Sequence, residues 1–218
     1  LQSVFMLIDW CDELDFDLRT DGRLSREDLE TSTVMPADDL CIKAARALQK
    51  ATGCSLGVHI KLRKRIPVEA GLGGGSSDAA TTLLALNRLW GLGLSRAELI
   101  EIGIGLGADV PFFLGGHTAW VEGVGEQLTP VSLPPSRFVV IKPEGGASTQ
   151  RIFSSPKLRR NTKTAIIQGF AANGAERVNW LDLHKIMQLA HNDLQPVAQA
   201  LCPEVGECLD WLSEQGLQ

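Results

Sequence analysis

A glycine cluster between a predicted strand and a predicted helix is the part of the sequence best suited to chemistry. Gly71-Leu72-Gly73-Gly74-Gly75-Ser76-Ser77-Asp78 opens into an apolar helical stretch at 79–90. Glycines permit positive φ angles and let an anion approach the backbone N–H groups. The unpaired N–H donors of a helix's first turn attract the same anion. Because Ser76 and Ser77 add hydroxyls that can cap the helix or contact a phosphate or its metal ion, the segment predicts a phosphate-binding loop.

Two familiar phosphate motifs are excluded, and a purely structural explanation stays open. No Gly-Lys-Ser/Thr ends the cluster, so it is not a Walker loop. Ser76 stands where a dinucleotide fingerprint needs its third glycine. A glycine-rich connection can also serve only to let a helix pack closely against a strand. The spacing alone does not decide between phosphate binding and close packing.

Asp109 is the candidate for acid–base chemistry. It lies in Gly107-Ala108-Asp109-Val110-Pro111, where an aspartate commonly caps a helix or forms a turn. An aspartate can also accept the proton of a hydroxyl that attacks a phosphate. Both roles are open on the residues alone, and capping is the commoner one.

Four basic residues precede the glycine cluster, namely Lys61, Arg63, Lys64 and Arg65. Such residues can neutralise phosphate charge. They can equally form the solvated side of a strand, since they alternate in part with apolar residues.

Hydrophobic periodicity predicts the elements that must position these residues. Strands are expected at 4–10, 14–18, 56–63, 117–122, 126–130 and 138–141. Helices are expected at 40–51 after Asp38 or Asp39, at 79–90, at 95–104 with a Ser95/Glu98 capping box, and at 162–170 and 180–190. The polar stretch 25–38 is predicted to be a loop, and Pro134-Pro135 a domain boundary. A strand-rich first part and a mainly helical second part indicate an α+β protein.

Composition limits the classes of partner. The 218 residues are 44% hydrophobic with a net charge of −5, which fits a globular protein and argues against attraction to nucleic acid or an anionic membrane. No apolar run is long enough for a membrane span. Five irregularly spaced cysteines predict reduced thiols in a cytoplasmic protein and no zinc site.

These segments together resemble the GHMP kinases, a superfamily of small-molecule kinases. The segment 67–80, with Pro67 followed after three residues by the glycine and serine run, is similar to the superfamily's ATP-binding motif. Its form here, Gly-Leu-Gly-Gly-Gly-Ser-Ser-Asp-Ala-Ala, resembles the branch that phosphorylates a cytidine-diphosphate-linked methylerythritol. Segments 106–113, 122–126, 160–162 and 192–194 agree, so the resemblance covers nearly the whole chain.

The resemblance implies an α+β, two-domain GHMP kinase fold. An ATP-binding domain of the ribosomal S5 domain 2-like type is expected at 1–134, and a ferredoxin-like α+β domain at 135–218. The superfamily's initial Pro-Ala-Lys-x-Asn strand and Gly-Tyr-His segment do not occur in the sequence, nor does its late Thr-Gly-Ser-Gly-like loop. We therefore expect a chain truncated at both ends, which by itself has negligible kinase activity.

The resemblance also implies a reaction and its residues. The reaction is transfer of the γ-phosphate of ATP, with Mg²⁺, to the 2-hydroxyl of that small-molecule substrate in the non-mevalonate route to isoprenoid precursors. Asp109 is implied as the catalytic aspartate and Ser76 as a metal contact, while Thr149 and Phe153 are implied for the cytidine. The implied ATP-binding residues are Leu40, Lys64, Val68, Gly71, Gly73, Gly74, Gly75 and Ser76.

Two alternatives remain at this point. The chain could be another GHMP kinase that acts on a small alcohol, or a non-catalytic nucleotide-binding protein that lacks the catalytic lysine. No nucleic-acid or membrane partner is expected, and the sequence does not predict an oligomeric state.

Overall fold

The computed structural model describes residues 2–29, 36, 39–133, 135–160, 162 and 191–217. The chain divides into two compact units, the first comprising Leu1–Val68 with Leu72–Pro130 and the second Glu69–Gly71 with Val131–Gln218. None of the helices in the described ranges is long and apolar enough to cross a membrane. The mixture of helices and sheets confirms the predicted α+β class.

In the described part of the first unit, six strands form two three-stranded sheets. In chain order they are β1 (Gln2–Phe5), β2 (Glu13–Arg19), β3 (Leu24–Leu29), β4 (Gly57–Arg63), β5 (Ala119–Glu122) and β6 (Gln127–Pro130). One sheet has the order β1-β5-β6 and is antiparallel throughout. The other has the order β2-β4-β3, in which β4 runs antiparallel to β2 and parallel to β3.

Strict alternation explains why β4 forms the centre of its sheet. Val58, Ile60 and Leu62 are buried, whereas the basic residues between them are not. On β2, Leu14 lies opposite Leu62 and Phe16 opposite Ile60, so the apolar residues of both strands face the same side. The predicted strands at 14–18 and 56–63 are therefore confirmed.

The described residues of the first unit form four helices. They are α1 (Leu40–Thr52), α2 (Gly74–Leu89), α3 (Arg96–Ile104) and α4 (Val110–Gly115). Of these, α1 and α3 begin where capping chemistry predicts, and α4 is not among the predicted helices. The Asp39 carboxylate accepts a hydrogen bond from Ile42 N (3.1 Å) at the start of α1. Ser95 and Glu98 form the predicted capping box of α3, with Ser95 Oγ donating to Glu98 Oε2 at 2.6 Å.

The core of the first unit lies where α1 and α2 pack on each other and on β4. Small residues on the two helices permit this close approach, and larger ones fill the space between them. The most completely buried side chains include Leu48, Leu83, Leu86, Ala44, Ala45 and Ala79. A second cluster joins α4 to the β1-β5-β6 sheet through Phe112, whose ring meets that of Phe5 edge-on at 5.3 Å.

The second unit is described as three helices: α5 (Thr149–Ser154), α6 (Gln195–Leu201) and α7 (Glu204–Glu214). Ile152, Leu158 and Val197 form its apolar cluster. The predicted buried strand at 138–141 is wrong, because these residues are not in a strand and are 38–61% exposed. An apolar run needs a neighbouring strand to pair with its backbone groups, and the described part of this unit contains none.

Three other sequence predictions need correction or fall outside the described residues. The strand predicted at 4–10 ends at Phe5. The loop predicted at 25–38 is wrong for its first residues, because 25–29 belong to β3, where Arg26 pairs with Asp28 (2.7 Å) and Asp39 (2.7 Å). Backbone pairing with β4 places this polar segment in a strand, and the ion pairs neutralise the buried charge of Arg26. Residues 30–35 and 37–38 and the helices predicted within 163–190 lie outside the described residues.

Candidate active site

The glycine cluster forms the start of α2, which begins five residues before the helix predicted at 79–90. The backbone takes positive φ at Glu69 (57°), Gly71 (72°) and Gly73 (68°), and helical structure begins at Gly74. The first intrahelical hydrogen bond runs from Ser77 N to Gly73 O at 2.9 Å. The N–H groups of residues 74–76 therefore have no acceptor within the helix, which is the arrangement that binds an anion.

Gly73 is required by space as well as by backbone conformation. A Cβ at this position would lie 2.9 Å from Cε2 of Phe113 on α4. A left-handed residue with a side chain would also be strained. Gly75 is approached by α1, since its Cβ position is 3.4 Å from Cδ1 of Leu40, the first residue of that helix. The first turn of α2 is thus held between α1 and α4.

Asp109 occupies the N-cap position of α4, but its side chain does not cap that helix. Its backbone is helical (φ −88°, ψ −14°) and its carboxylate accepts no hydrogen bond from the helix. Burial raises the pKa of Asp109 above its usual value, and burial is the only cause found among the described residues. A half-buried carboxylate that does not cap is available to accept a proton, so the structure does not support the commoner capping role.

Two close approaches bring the Asp109 turn to the N-terminal end of α2. Phe113, on the first turn of α4, contacts Gly73, and a Cβ at Gly107 would lie 3.8 Å from the Ser76 hydroxyl oxygen. The turn between β5 and β6 packs against the Asp109 turn, since a Cβ at Gly125 would lie 2.5 Å from Ala108 O. The sequence-predicted phosphate loop and the candidate base therefore lie in one neighbourhood.

Lys64 is enclosed by two carboxylates. Its ammonium lies 2.5 Å from Asp12 Oδ2 and 2.8 Å from Asp78 Oδ2, and all three side chains are at most 7% exposed. Burial raises the pKa of Asp78 to about 6, against the lowering effect of Lys64. Burial alone would lower the pKa of Lys64, but hydrogen bonds to the two carboxylates outweigh it and raise that pKa.

Sequence reasoning missed Asp12 and Asp78 as functional candidates. Asp78 ends the glycine cluster, and this position next to a predicted phosphate loop is a sequence signal that could have identified it. Asp12 carries no such signal, since it lies 52 residues from Lys64 in an irregular segment. Only the folded chain brings them together.

The other basic residues before the loop pair with acidic residues of β2. Lys61 Nζ lies 2.9 Å from Asp17, and Arg63 and Arg65 lie 2.7 and 2.6 Å from Glu13. These partly exposed pairs are what the interpretation as a solvated strand face predicts.

The remaining predicted residues lie elsewhere in the chain. Val68 is 37% exposed and is the last residue of Leu1–Val68, the first of the two segments that form the first unit. Thr149 and Phe153 lie on α5 in the second unit, where Phe153 is 49% exposed.

A resident metal centre is not evident among the described residues, which contain no group of three or more His, Cys, Asp or Glu side chains able to hold a metal ion. Mg²⁺ in phosphoryl-transfer sites is held by few protein oxygens together with the phosphates. The hydroxyl of Ser76, in the first turn of α2, is an oxygen ligand of the kind that Mg²⁺ prefers.

Comparison with known proteins agrees with this geometry. Residues 39–117, which include the glycine cluster and Asp109, match the family model for the GHMP kinases N terminal domain. The whole chain is 59% identical to a 4-diphosphocytidyl-2-C-methyl-D-erythritol kinase from Polaromonas sp., covering 71% of it, and 60% identical to one from Paracidovorax citrulli, covering 73% of it. The chain belongs to the 4-diphosphocytidyl-2-C-methyl-D-erythritol kinase family of GHMP kinases.

Solved structures support the same assignment. A crystal structure of 4-(cytidine 5'-diphospho)-2C-methyl-D-erythritol kinase matches 95% of this chain and 71% of that chain, with a TM-score of 0.68 and 31% identity. A homoserine kinase from Cytophaga hutchinsonii matches 56% of this chain and 44% of that chain, with a TM-score of 0.51 and 19% identity, which indicates a shared fold only. The GHMP kinase fold predicted from the sequence is confirmed, and members of this kinase family are phosphotransferases. The ferredoxin-like arrangement of the second domain stays a prediction.

Proposed function

We propose that the protein transfers the γ-phosphate of ATP to the 2-hydroxyl of 4-diphosphocytidyl-2-C-methyl-D-erythritol. The observation that carries this proposal is that Gly107 and Phe113, on either side of Asp109, approach Ser76 and Gly73 at the start of α2. The chain is also about 60% identical to kinases of that name. Such a transfer supplies isoprenoid precursors by the route that does not use mevalonate.

The triphosphate binds at the N-terminal end of α2 in this proposal. Gly71, Gly73, Gly74, Gly75 and Ser76 form the backbone cradle, whose N–H groups at 74–76 lack helical partners. Backbone donors and the helix dipole are fixed before the nucleotide arrives, so their orientation costs little when it binds. Leu40, Lys64 and Val68 are proposed to lie near the adenine.

Asp109 accepts the proton of the attacking hydroxyl. As the substrate oxygen forms a bond to the γ-phosphorus, the bond from that phosphorus to the β,γ-bridging oxygen breaks, and ADP leaves. The hydroxyl proton passes to the Asp109 carboxylate. Burial favours the protonated form of Asp109, so the group is a stronger base than an exposed aspartate once ionised. Most of the rate in such reactions comes from positioning and charge stabilisation.

Mg²⁺ fits this donor set and is proposed as the metal that neutralises phosphate charge. The Ser76 hydroxyl is the side-chain oxygen proposed to contact it. The residues of this chain then orient the phosphates through α2 and the hydroxyl through Asp109.

The cytidine end of the substrate is assigned to the second domain. Phe153, half-exposed on α5, offers an aromatic face on which a base can stack, and Thr149 offers a hydroxyl on the same helix. We further propose domains at 1–134 and 135–218, a cytoplasmic location, and no nucleic-acid or membrane partner. The net charge of −5 supports the last of these.

A phosphate-transfer panel tests the proposal. The full-length protein is incubated with γ-³²P-labelled ATP and, in turn, 4-diphosphocytidyl-2-C-methyl-D-erythritol, homoserine, mevalonate and galactose. Label is expected in the first compound, and ³¹P NMR should show a new phosphate monoester. Transfer to another alcohol instead would assign the protein to a different GHMP kinase reaction. Nucleotide binding with no transfer to any alcohol would support a non-catalytic protein.

A further inference from the structure

Three charged side chains are buried together beside the proposed ATP loop. Asp12, Lys64 and Asp78 have side-chain exposures of 1%, 7% and 4%. Removing such groups from water costs several kcal/mol per ion, and apolar replacements of similar volume are often as stable. Stability alone therefore does not explain why this cluster is charged.

Asp12 holds the chain segment from which the loop departs. Its Oδ1 accepts hydrogen bonds from the backbone N–H groups of Arg65 (2.6 Å) and Ile66 (2.8 Å), while Oδ2 binds the Lys64 ammonium (2.5 Å). One carboxylate thus fixes three successive residues. Burial alone would raise the pKa of Asp12, but the hydrogen bonds from Lys64, Ile66 and Arg65 outweigh it and lower that pKa.

The segment held by Asp12 in turn contacts the first turn of α2. A Cβ at Gly74 would lie 3.0 Å from Cγ2 of Ile66 and 3.1 Å from Nζ of Lys64. Lys64 also binds Asp78 in the same helix at 2.8 Å. Asp12 is therefore connected through 64–66 to the backbone whose N–H donors face the proposed triphosphate.

We infer that Asp12 is a positioning residue for ATP, which sets the orientation of the α2 N-terminus by fixing residues 64–66. This inference rests on the proposed ATP site. Asp12 does not touch the nucleotide; it acts through Lys64 and Ile66.

The test combines two variants of Asp12 with a matched control. Asp12→Ala removes all three interactions, whereas Asp12→Asn keeps Oδ1 as an acceptor for Arg65 and Ile66. Asp17→Asn is the control, because Asp17 forms an exposed ion pair with Lys61 at 2.9 Å on the same sheet. For each protein, the Kd of a fluorescent ATP analogue, kcat, the KM for ATP and the fraction of folded protein are measured.

A positioning function predicts a change in nucleotide binding beyond any loss of folded protein. Asp12→Ala is expected to raise the Kd and KM for ATP about tenfold, since several hydrogen bonds that orient the donors are lost. Its kcat at saturating ATP is expected to fall less, by about threefold. Asp12→Asn should recover only part of the affinity, with a Kd still above the wild-type value, because the ion pair with Lys64 is lost. Asp17→Asn should match the wild type.

A merely structural function predicts fewer folded molecules with unchanged Kd. The inference would be overturned if both Asp12 variants bound the ATP analogue with the wild-type Kd. If too little Asp12→Ala is folded for a measurement, a wild-type Kd in Asp12→Asn would overturn it. The proposed function fails separately: if the wild-type protein binds ATP but transfers no phosphate, the Kd comparison still decides the function of Asp12.

Discussion

Gly73 and Phe113 are in such close contact that a single added carbon on Gly73 would lie 2.9 Å from the Phe113 ring. Gly73 is the residue before α2, and Phe113 lies four residues after Asp109 on α4. The contact therefore joins the proposed phosphate-binding helix to the turn that carries the proposed base. This packing of α4 on α2 helps to hold both groups of the proposed phosphoryl-transfer site.

Gly73→Ala is expected to weaken ATP binding more than it weakens the fold in general. The matched control is Gly53→Ala, because Gly53 has the same φ of 68° but no atom within 4 Å of its Cβ position. Both variants incur the left-handed backbone strain of roughly 1–2 kcal/mol. Only Gly73→Ala must also displace Phe113.

Unfolding in urea and the Kd for an ATP analogue measure the two effects. Gly53→Ala should lower the free energy of unfolding and leave the Kd unchanged. Gly73→Ala should raise the Kd as well, by about tenfold. Equal Kd values in the two variants would mean that the Gly73–Phe113 contact does not position the loop.

Asp78→Asn is expected to change how stability depends on pH. The pKa of Asp78 is raised from 3.8 to about 6, so the folded protein retains a proton that the unfolded chain releases near pH 4. The stability contributed by this protonation is full below about pH 4 and is lost as the pH rises through about 6. The free energy of unfolding of the wild type should therefore fall over this pH range through Asp78, whereas that of Asp78→Asn has no such contribution. The variant should become more stable relative to the wild type as the pH rises.

Urea unfolding at half-unit steps from pH 4 to 7 makes this measurement. Asp17→Asn is the control, since the hydrogen bond with Lys61 lowers the pKa of Asp17, a shift opposite to that of Asp78. A wild-type curve parallel to that of Asp78→Asn across the window would contradict the raised pKa.

Phe153→Ala is expected to raise the KM for the cytidine-linked substrate and to leave the KM for ATP unchanged. Stacking of a base on an aromatic side chain contributes about 1–3 kcal/mol, so the increase should be at least about fivefold. Phe138→Ala is the control, because Phe138 is similarly exposed, at 51% against 49%, in the same unit. Equal effects of both variants, or an increase confined to ATP, would remove Phe153 from the proposed cytidine pocket.

Local patterns predicted the elements of the first unit well. Alternation on β4 and the capping box at Ser95 depend on neighbours in the sequence, and both are confirmed. The segment 138–141 has the same apolar character but is exposed, because a strand also needs a partner that the segment itself does not encode. Conversely, β3 is a polar segment that pairs in parallel with β4, a pairing across the chain that alternation within the segment does not reveal.

The candidate site was predictable only in part, for a related reason. The glycine cluster and Asp109 carry recognisable local chemistry and a family resemblance. The contacts that hold them together join residues far apart in the chain, such as Lys64 with Asp12 and Gly73 with Phe113. Such pairs are set by how helices and sheets pack, which spacing within one segment does not determine.

The most direct test of the central claim is the turnover of Asp109→Asn in the full-length protein. The amide keeps the size of the carboxylate but cannot accept the hydroxyl proton, so kcat is expected to fall by about 10²–10⁴-fold. The Kd for ATP should stay within about twofold of wild type, since the proposed cradle is the backbone of α2. The free energy of unfolding at neutral pH should not decrease, because a half-buried carboxylate with its pKa raised is removed. Asp15→Asn is the control, because Asp15 is exposed on β2. A kcat of Asp109→Asn as close to the wild-type value as that of the control would show that Asp109 is not the base and that the proposed mechanism is wrong.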